Sequence, residues 1–312
     1  MLSVAGSSPS FDCDVECDWS LLSTCNYRCC YCFLSADALG ARIETFATPA
    51  EWAAAFDRTG LRWLVHLTGG EPTIHPDFVE LCACLTRHHF ISINTNLSRP
   101  AARLLVGRVD PRRVSFVNAG LHVDERQRRG GLDAFLDGAR FLQDAGFRVF
   151  PTVVATPGVV ADWPLLVSWA AERELQLAPK VLRGRYLGRV YPGGYSPEEK
   201  ERLLGAIARA RDHYDRAFAG WPRPSIDVLS DDELLAGEPN FRGRPCSAGF
   251  RFVSMSPNGD VRRCNPGRPS IGNLLRGPLR LGDGLLPCDT SYCAYFCRKY
   301  SVATLTPRPS IR

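Results

Sequence analysis

Residues 25–32 read CNYRCCYC, so four cysteines lie within eight positions. Spacings of four and three residues put Cys25, Cys29 and Cys32 on one tight loop, which leaves Cys30 facing the other way. Thiolates are soft ligands that suit iron–sulfur clusters or zinc, although structural zinc commonly takes four ligands as two separated pairs. Cys29 and Cys32 also form a C-x-x-C sequence, which would suit a dithiol redox site. Haem attachment is excluded because phenylalanine, not histidine, follows the last cysteine. The pattern predicts three metal ligands and one bystander.

Short apolar runs alternate with helical stretches on either side of this loop. The predicted strands are residues 19–24, 62–67, 90–95, 113–118, 148–155 and 176–182, and the predicted helices are 49–58, 77–88, 100–106, 132–145 and 163–174. Thr48-Pro49-Ala50-Glu51 has the capping residues of a helix start. This alternation favours an α/β fold with parallel strands and helices outside. Six units are too few to close an eight-stranded barrel, so we expect an open, partial (β/α)6 barrel.

The segments before and after the predicted barrel have sequence patterns of their own. Residues 11–19 alternate apolar and acidic side chains, which predicts a half-buried strand within an N-terminal extension. Prolines at 222 and 224 mark a boundary before a small, cysteine-rich domain. The Gly-, Arg- and Tyr-rich stretch 183–196 is interpreted as a loop over the barrel mouth. The predicted organisation is an N-terminal strand extension, the barrel, a connecting helix and a cysteine-rich domain, at residues 1–18, 19–195, 196–220 and 225–312.

Composition narrows the class of protein. The chain has 312 residues, 45% of them hydrophobic, with a net charge of +5 and thirteen cysteines. That charge is too mild to argue for nucleic acid, but it would suit an acidic redox partner. There is no apolar run long enough for a membrane span and no signal-peptide pattern, so we expect a cytoplasmic protein. Clustered cysteines in a reducing compartment more often bind metal or take part in catalysis.

Polar residues follow each predicted strand, at the ends that carry ligand sites in parallel α/β folds. Thr68-Gly69-Gly70-Glu71-Pro72 follows the second strand, and Asn94 and Asn96 end the third. His122 comes after the fourth. Lys180 and Arg183 follow the sixth, where they suit a phosphate or carboxylate clamp. We expect all of these groups to face the mouth of the barrel. The alternative for Lys180 and Arg183 is a solvated surface. The alternative is turn capping for Asn96 and loop capping for His122.

The cysteine triplet and the Gly69-Gly70-Glu71-Pro72 turn together resemble the radical S-adenosylmethionine (radical SAM) superfamily, with its C-x3-C-x2-C signature and GGEP motif. The resemblance implies a 4Fe-4S cluster on the three cysteines, with SAM chelated to its fourth iron. It further implies that the GGEP turn and Glu71 take the methionyl ammonium, with glycine leaving room for the ligand. Asn94 and Asn96 would bind the ribose, and Tyr31 or Phe33 the adenine.

A second group of cysteines lies near the C-terminus. Cys246, twelve further residues, Gly259 and Cys264 are similar to the opening of the SPASM and Twitch extensions of the superfamily. A full SPASM domain has seven motif cysteines, whereas this segment has five, so we expect one auxiliary 4Fe-4S cluster. The expected ligands are Cys246, Cys264 and Cys297, with Cys288 or Cys293 as the fourth. Zinc or simply buried thiols are the alternatives.

The expected function is a radical SAM enzyme that oxidises or otherwise modifies a small natural product, such as a sugar, aminocyclitol or nucleoside. Only 24 residues precede Cys25, which argues against a fused N-terminal peptide-binding domain and so favours a small substrate. Modification of a ribosomal peptide is the alternative reaction. A non-catalytic zinc or iron–sulfur protein is the alternative of another class. His122, Lys180 and Arg183 are candidate substrate ligands, and a flavodoxin or ferredoxin is the expected electron donor.

Overall fold

The protein is described by a computed structural model that covers residues 11–221, 231–237, 240–264, 267–291 and 293. Its strands in chain order are β1 Val15–Leu22, β2 Trp63–Gly69, β3 Phe90–Thr95, β4 Val114–Gly120, β5 Val149–Val154, β6 Ala178–Lys180, β7 Gly184–Tyr186, β8 Arg189–Tyr191, β9 Pro245–Cys246, β10 Phe252–Met255, β11 Asp260–Arg262, β12 Ser270–Asn273 and β13 Leu286–Pro287.

The helices lie between and after these strands. They are α1 Ala36–Gly40, α2 Pro49–Asp57, α3 Phe78–Leu85, α4 Val123–Arg129, α5 Leu132–Asp144, α6 Pro157–Ala161, α7 Trp163–Ala171, α8 Pro197–Ala217 and α9 Asp232–Leu235. The predicted start of α2 is confirmed, because the Thr48 side chain accepts from the Glu51 backbone and Glu51 reaches back to Thr48. The predicted helix 100–106 is a 3-10 helix, Pro100–Leu105. No sequence pattern predicted α1, α4 or α6.

The main sheet confirms the predicted α/β class. Its strand order is β12-β11-β10-β1-β2-β3-β4-β5-β6, and β1 to β6 pair in parallel. The predicted strand 19–24 and the alternating stretch 11–19 are one element, because β1 runs continuously from Val15 to Leu22. This strand crosses the predicted boundary at residue 18. The boundaries of the four predicted segments stay predictions.

The two faces of the sheet differ in polarity. Cys17 and Trp19 point to the face that packs against the helices, where Phe56, Phe78 and Leu136 join them in one apolar core. This burial of apolar side chains is the main stabilising term. Period-two alternation turns the intervening residues to the opposite face. There, polar side chains from neighbouring strands bond to one another at Glu16–His66, His66–Ser92, Asp18–Thr68, Asn94–Asn118 and Asn118–Thr152. These contacts form a polar wall on that face of the sheet, beside an aromatic cluster in which Phe116 and Phe150 pack against α8.

The C-terminal segment is attached to the barrel through its sheet. β10 pairs in parallel with β1, with Cys17 opposite Val253, and β11 and β12 continue outward as antiparallel strands. Val253 is fully buried in the same apolar core as Trp19. Three strands of the predicted C-terminal domain therefore extend the barrel sheet, and the domain assignment itself stays a prediction. No helix in the described part of the chain is long and apolar enough to cross a membrane.

Candidate active site

The cysteine loop lies between β1 and α1, at the carboxyl ends of the parallel strands. The Cys25 backbone N–H donates to the Leu39 carbonyl at 3.0 Å, and the Cys32 N–H donates to the Cys29 carbonyl at 3.0 Å. The Tyr27 N–H donates to the Cys25 sulfur at 3.3 Å. These bonds fix the loop, which carries the three predicted ligand thiols, at the carboxyl ends of the strands.

Cys29 has two polar side chains beside it. The Nδ1 atom of His122 lies 3.3 Å from the Cys29 sulfur and 2.9 Å from the Tyr31 hydroxyl. The imidazole stacks on Tyr31 and meets the Tyr27 ring edge-on. Burial, together with the charge of Arg126, lowers the pKa of His122 to about 4, so the ring is neutral at neutral pH. The structure thus places His122 against the cysteine loop, and its predicted substrate contact stays a prediction.

The three thiols are close enough to influence one another's ionisation. Burial raises the pKa of Cys25, and the charges of Glu71 and Cys32 raise it further. Burial likewise raises the pKa of Cys29 to about 12, with contributions from the Cys25 and Cys32 charges. A metal that takes these sulfurs as thiolates must therefore displace protons, which couples its binding to pH.

Cys30, the predicted bystander, has different neighbours. It is exposed, and its thiol lies 3.8 Å from the Asp124 carboxylate and 4.0 Å from the Tyr186 hydroxyl. Cys30 therefore connects the cysteine loop to α4 and to the strand β7.

The two glycines of the GGEP turn make room for protein backbone. A β-carbon on Gly69 would lie 2.0 Å from the Leu22 carbonyl oxygen, and one on Gly70 would lie 2.1 Å from that of Thr24. The Gly70 and Glu71 N–H groups donate to the carbonyls of Leu22 and Thr24. We expected the glycines to leave space for a ligand, but the clash that the structure shows is with the end of β1. The turn locks β2 onto the residue that precedes Cys25. An ammonium donates hydrogen bonds, so the backbone groups near this turn that could bind one are carbonyl oxygens.

Glu71 is a buried brace between strands. Its side chain accepts from the Thr73 N–H and hydroxyl, the Thr95 hydroxyl and the Asn96 N–H at 2.5 to 3.1 Å. Burial raises its pKa, while these hydrogen bonds oppose the rise. The Asn96 amide in turn donates to Asn26 at 3.0 Å, and Asn26 donates to Ser98 at 2.7 Å. A continuous chain of contacts therefore runs from the GGEP turn to the cysteine loop.

Asn96 makes its bonds within the protein. Its Oδ1 atom accepts from the Ser98 N–H at 2.9 Å, the turn-capping arrangement that was the alternative for this residue. Asn94 accepts from the Asn118 amide at 2.7 Å as part of the polar wall. Phe33 is 92% exposed, whereas Tyr31 is half-buried beside His122. The predicted SAM contacts of these residues, and of Pro72, stay predictions.

Sequence reasoning missed Glu125 on α4, which braces the loop from its other side. Its carboxylate is buried and accepts from the Arg28 backbone N–H at 3.0 Å. Arg128 and Arg129 pair with it at 2.5 and 3.0 Å. Burial would raise the pKa of Glu125, but these bonds hold it below the usual range. The i,i+3 and i,i+4 arginines were readable from the sequence; the contact with Arg28, 97 residues away, was not.

The two predicted basic ligands lie beyond the barrel strands. Lys180 ends β6 and is half-buried, and Arg183 is exposed on the segment that leads into β7. Their predicted clamp on substrate stays a prediction.

The structure brings three of the C-terminal cysteines together. β13 pairs with β9, with Leu286 opposite Cys246, and Cys264 and Cys288 pack against the cluster that contains Cys246. Cys293 packs in a different apolar cluster, with Tyr195. Cys297 lies outside the described residues. Within the part of the chain that is described, no three Cys, His, Asp or Glu side chains are close enough to hold a metal ion, so the auxiliary ligand set stays a prediction.

Like the C-terminal cysteines, Cys25, Cys29 and Cys32 are not drawn together into a metal-binding group in the described structure, so their role as cluster ligands stays a prediction. The loop nevertheless carries the soft thiol donors that an iron–sulfur cluster takes. The N-terminal site offers three thiols on one loop, and that loop is held by a glycine turn with no room for side chains. A parallel partial barrel with a thiol-bearing loop after its first strand places the protein among the α/β proteins with open, barrel-like sheets. Residues 19–164 match the sequence model of the Radical SAM superfamily. The chain therefore carries a radical SAM domain, the domain of an enzyme superfamily that uses a 4Fe-4S cluster and SAM.

Several curated proteins are similar over much of the chain. Mycofactocin maturase MftC of Mycolicibacterium smegmatis is 26% identical over 79% of this chain and 63% of its own length. The antilisterial bacteriocin subtilosin biosynthesis protein AlbA of Bacillus subtilis is 24% identical, over 88% and 60%. A GTP 3′,8-cyclase of Paenarthrobacter nicotinovorans is 33% identical, over 72% and 60%. The chain thus spans about three fifths of the length of these relatives.

Among solved structures, Streptococcus suis SuiB bound to precursor peptide SuiA has the same fold. Its TM-score is 0.54 at 16% identity, covering 85% of this chain and 63% of SuiB. The likeness confirms the partial barrel and leaves the C-terminal cluster domain unconfirmed.

Proposed function

We propose that this protein is a radical SAM enzyme that modifies a peptide substrate. The observation that carries the class of reaction is the cysteine loop, held at the strand ends by the Glu71–Asn96–Asn26 chain of contacts and by the GGEP turn. When bound, the cluster and SAM supply a 5′-deoxyadenosyl radical that removes a hydrogen atom from the substrate.

In this proposal the chain's own residues position the cofactors. Cys25, Cys29 and Cys32 would hold the cluster. Gly69 and Gly70 bring the end of β2 against the residues before Cys25, where carbonyl oxygens would accept from the ammonium of SAM. Glu71 acts as a positioning residue through Asn96. The polar wall below the loop, with Asn94 and Asn118 in contact, would line the substrate cavity.

The proposal of a peptide substrate rests on the names and structures of similar proteins. One is named a maturase and another a bacteriocin biosynthesis protein, and the structurally similar SuiB was solved with a precursor peptide. These findings favour the peptide alternative over the small natural product that the sequence led us to expect. GTP is the second candidate substrate, because a GTP 3′,8-cyclase is 33% identical over 72% of the chain.

An auxiliary 4Fe-4S cluster is part of the proposal. Cys246, Cys264 and Cys288 would supply three of its ligands, because they pack together around the β9–β13 pair. Cys293 or Cys297 would be the fourth. A flavodoxin or ferredoxin would supply electrons, and the positive net charge suits an acidic donor.

The test is anaerobic incubation of the reconstituted protein with SAM, dithionite and a candidate substrate. Short peptides encoded beside the gene are the first candidates, and GTP is run in parallel. We expect 5′-deoxyadenosine together with a mass change in a peptide. A nucleotide product from GTP would instead support the second candidate. Absence of 5′-deoxyadenosine under every condition would refute the radical reaction.

A further inference from the structure

The segment predicted as a loop over the barrel mouth contains a β-hairpin. β7 and β8 pair antiparallel, with Arg185 opposite Val190, and within the described chain they form a two-stranded sheet of their own. Leu187 and Gly188 form the turn, with φ angles of 45° and 79°. Two left-handed residues between two strands are the geometry of a type I′ turn.

The base of the hairpin is fixed to the barrel. Tyr191 is buried and packs at 4.7 Å, centroid to centroid, on the ring of Tyr195. The Tyr195 hydroxyl donates to the Ala155 carbonyl at 2.6 Å and accepts from the Leu182 N–H at 2.9 Å. These contacts set where the hairpin stands, so its tip projects from a rigid support.

The tip carries a strained and exposed leucine. Leu187 adopts a left-handed backbone, which favours glycine or asparagine, and 82% of its surface is exposed. A leucine in this conformation costs on the order of 1 kcal/mol, and here burial of the side chain does not offset that cost. A role for the Leu187 side chain in binding would explain why a strained backbone and an exposed apolar side chain occur at the same residue.

Only one edge of the hairpin is covered. In a hairpin with a two-residue turn, the pair next to the turn exchanges hydrogen bonds, and the following pair turns its backbone groups outward. Here that outward pair is Arg185 and Val190. On the β8 side, a β-carbon on Gly194 would lie only 3.1 Å from the Val190 carbonyl oxygen, so the chain folds over that edge. Among the described residues, nothing pairs with the Arg185 side.

We propose that the β7 edge binds an extended segment of the peptide substrate as an added strand. Backbone pairing at Arg185 would supply affinity, as in other cases of strand addition. The exposed Arg185 on β7 favours an acidic residue in the peptide, and Leu187 offers an apolar contact at the tip. This inference rests on the proposed peptide substrate.

The position of the hairpin connects this edge to the cysteine loop. The Tyr186 hydroxyl on β7 lies 4.0 Å from the Cys30 sulfur, within the loop that carries the predicted cluster ligands. A segment bound along β7 would therefore run beside the site. The hairpin would act as a specificity element, because it touches the substrate outside the reacting centre.

The test measures binding by fluorescence anisotropy with the anaerobic holoprotein and no reductant. The probe is a labelled peptide of about twelve residues with alternating Glu and Val, long enough to cover the hairpin edge. We expect saturable binding that Leu187→Asn and Arg185→Glu each weaken at least about fivefold, a change of about 1 kcal/mol. Asparagine suits the left-handed position, so Leu187→Asn should not lower the melting temperature.

Leu165→Asn is the matched control, because Leu165 on α7 is 72% exposed and should be silent. A probe with Lys for Glu, and one N-methylated at alternate amides, should bind at least about fivefold more weakly. The inference is overturned if the wild type does not bind, if the modified probes bind equally, or if the hairpin variants match Leu165→Asn. These outcomes leave the proposed reaction intact, since its readout is 5′-deoxyadenosine and product mass.

Discussion

At the scale of single residues, the GGEP turn shows how a motif gains a different explanation from its contacts. The sequence predicted that Gly69 and Gly70 lie near the cysteine loop. It could not show that the missing side chains leave space for Leu22 and Thr24, because that contact joins segments about 45 residues apart.

This explanation predicts that Gly70→Ala disturbs the cysteine loop. A β-carbon there would lie 2.1 Å from the Thr24 oxygen and 2.4 Å from that of Ser23. We expect a loss of about four irons per chain after reconstitution and a drop in unfolding free energy of about 1–3 kcal/mol. Gly158→Ala is the control, because nothing lies within 4 Å of its β-carbon. Full iron content with weakened SAM binding would instead support the ligand-clearance explanation.

A second residue prediction concerns His122. Its Nδ1 atom lies 3.3 Å from the Cys29 sulfur, and a neutral ring that donates there would stabilise the more negative, reduced cluster. His122→Phe should lower the cluster's reduction potential by about 40 mV, the equivalent of a hydrogen bond of about 1 kcal/mol. Redox titration followed by electron paramagnetic resonance measures this. An unchanged potential would mean that the ring does not donate to Cys29.

At the scale of elements, local sequence patterns predicted the strands and helices of the barrel. They did not predict contacts between segments that are far apart in the sequence. Period-two alternation located β1, although it did not show that 11–19 and 19–24 are one strand. The charged helix α4 has no apolar stripe to reveal it, yet its Glu125 reaches the cysteine loop. The β7–β8 hairpin turns at Leu-Gly, which is not a residue pair typical of a type I′ turn.

The pairing of β10 with β1 predicts one cooperative unit where the sequence suggested two. Val253→Asp would bury a charge in the core shared by both segments, at a cost of several kcal/mol. We expect thermal unfolding in a single transition that moves to much lower temperature. Val190→Asp, at a 55% exposed position on β8, should leave that transition in place. Two transitions, with only one shifted, would restore the picture of a separate C-terminal fold.

At the scale of the whole molecule, the number of clusters tests the assignment of the cysteines. Eight cysteines are assigned to two cubanes, with one to spare, so the reconstituted chain should hold about eight irons and eight sulfides. Removing Cys25, Cys29 and Cys32 together should leave about four of each, unless the shared sheet makes loss of one site disrupt the other. A melting curve of that triple variant separates these cases. About four irons in the wild type would mean that the C-terminal cysteines hold no cluster.

The central claim is that the loop 25–32 makes this protein a radical SAM enzyme. Its most direct test is 5′-deoxyadenosine formation from SAM and dithionite by four single variants. Cys25→Ala, Cys29→Ala and Cys32→Ala should each fall to the background of the uncatalysed mixture. Cys30→Ala should keep most of the wild-type yield, because Cys30 faces Asp124 and Tyr186. Equal loss in the Cys30 variant, or retained activity in any of the other three, would contradict the account.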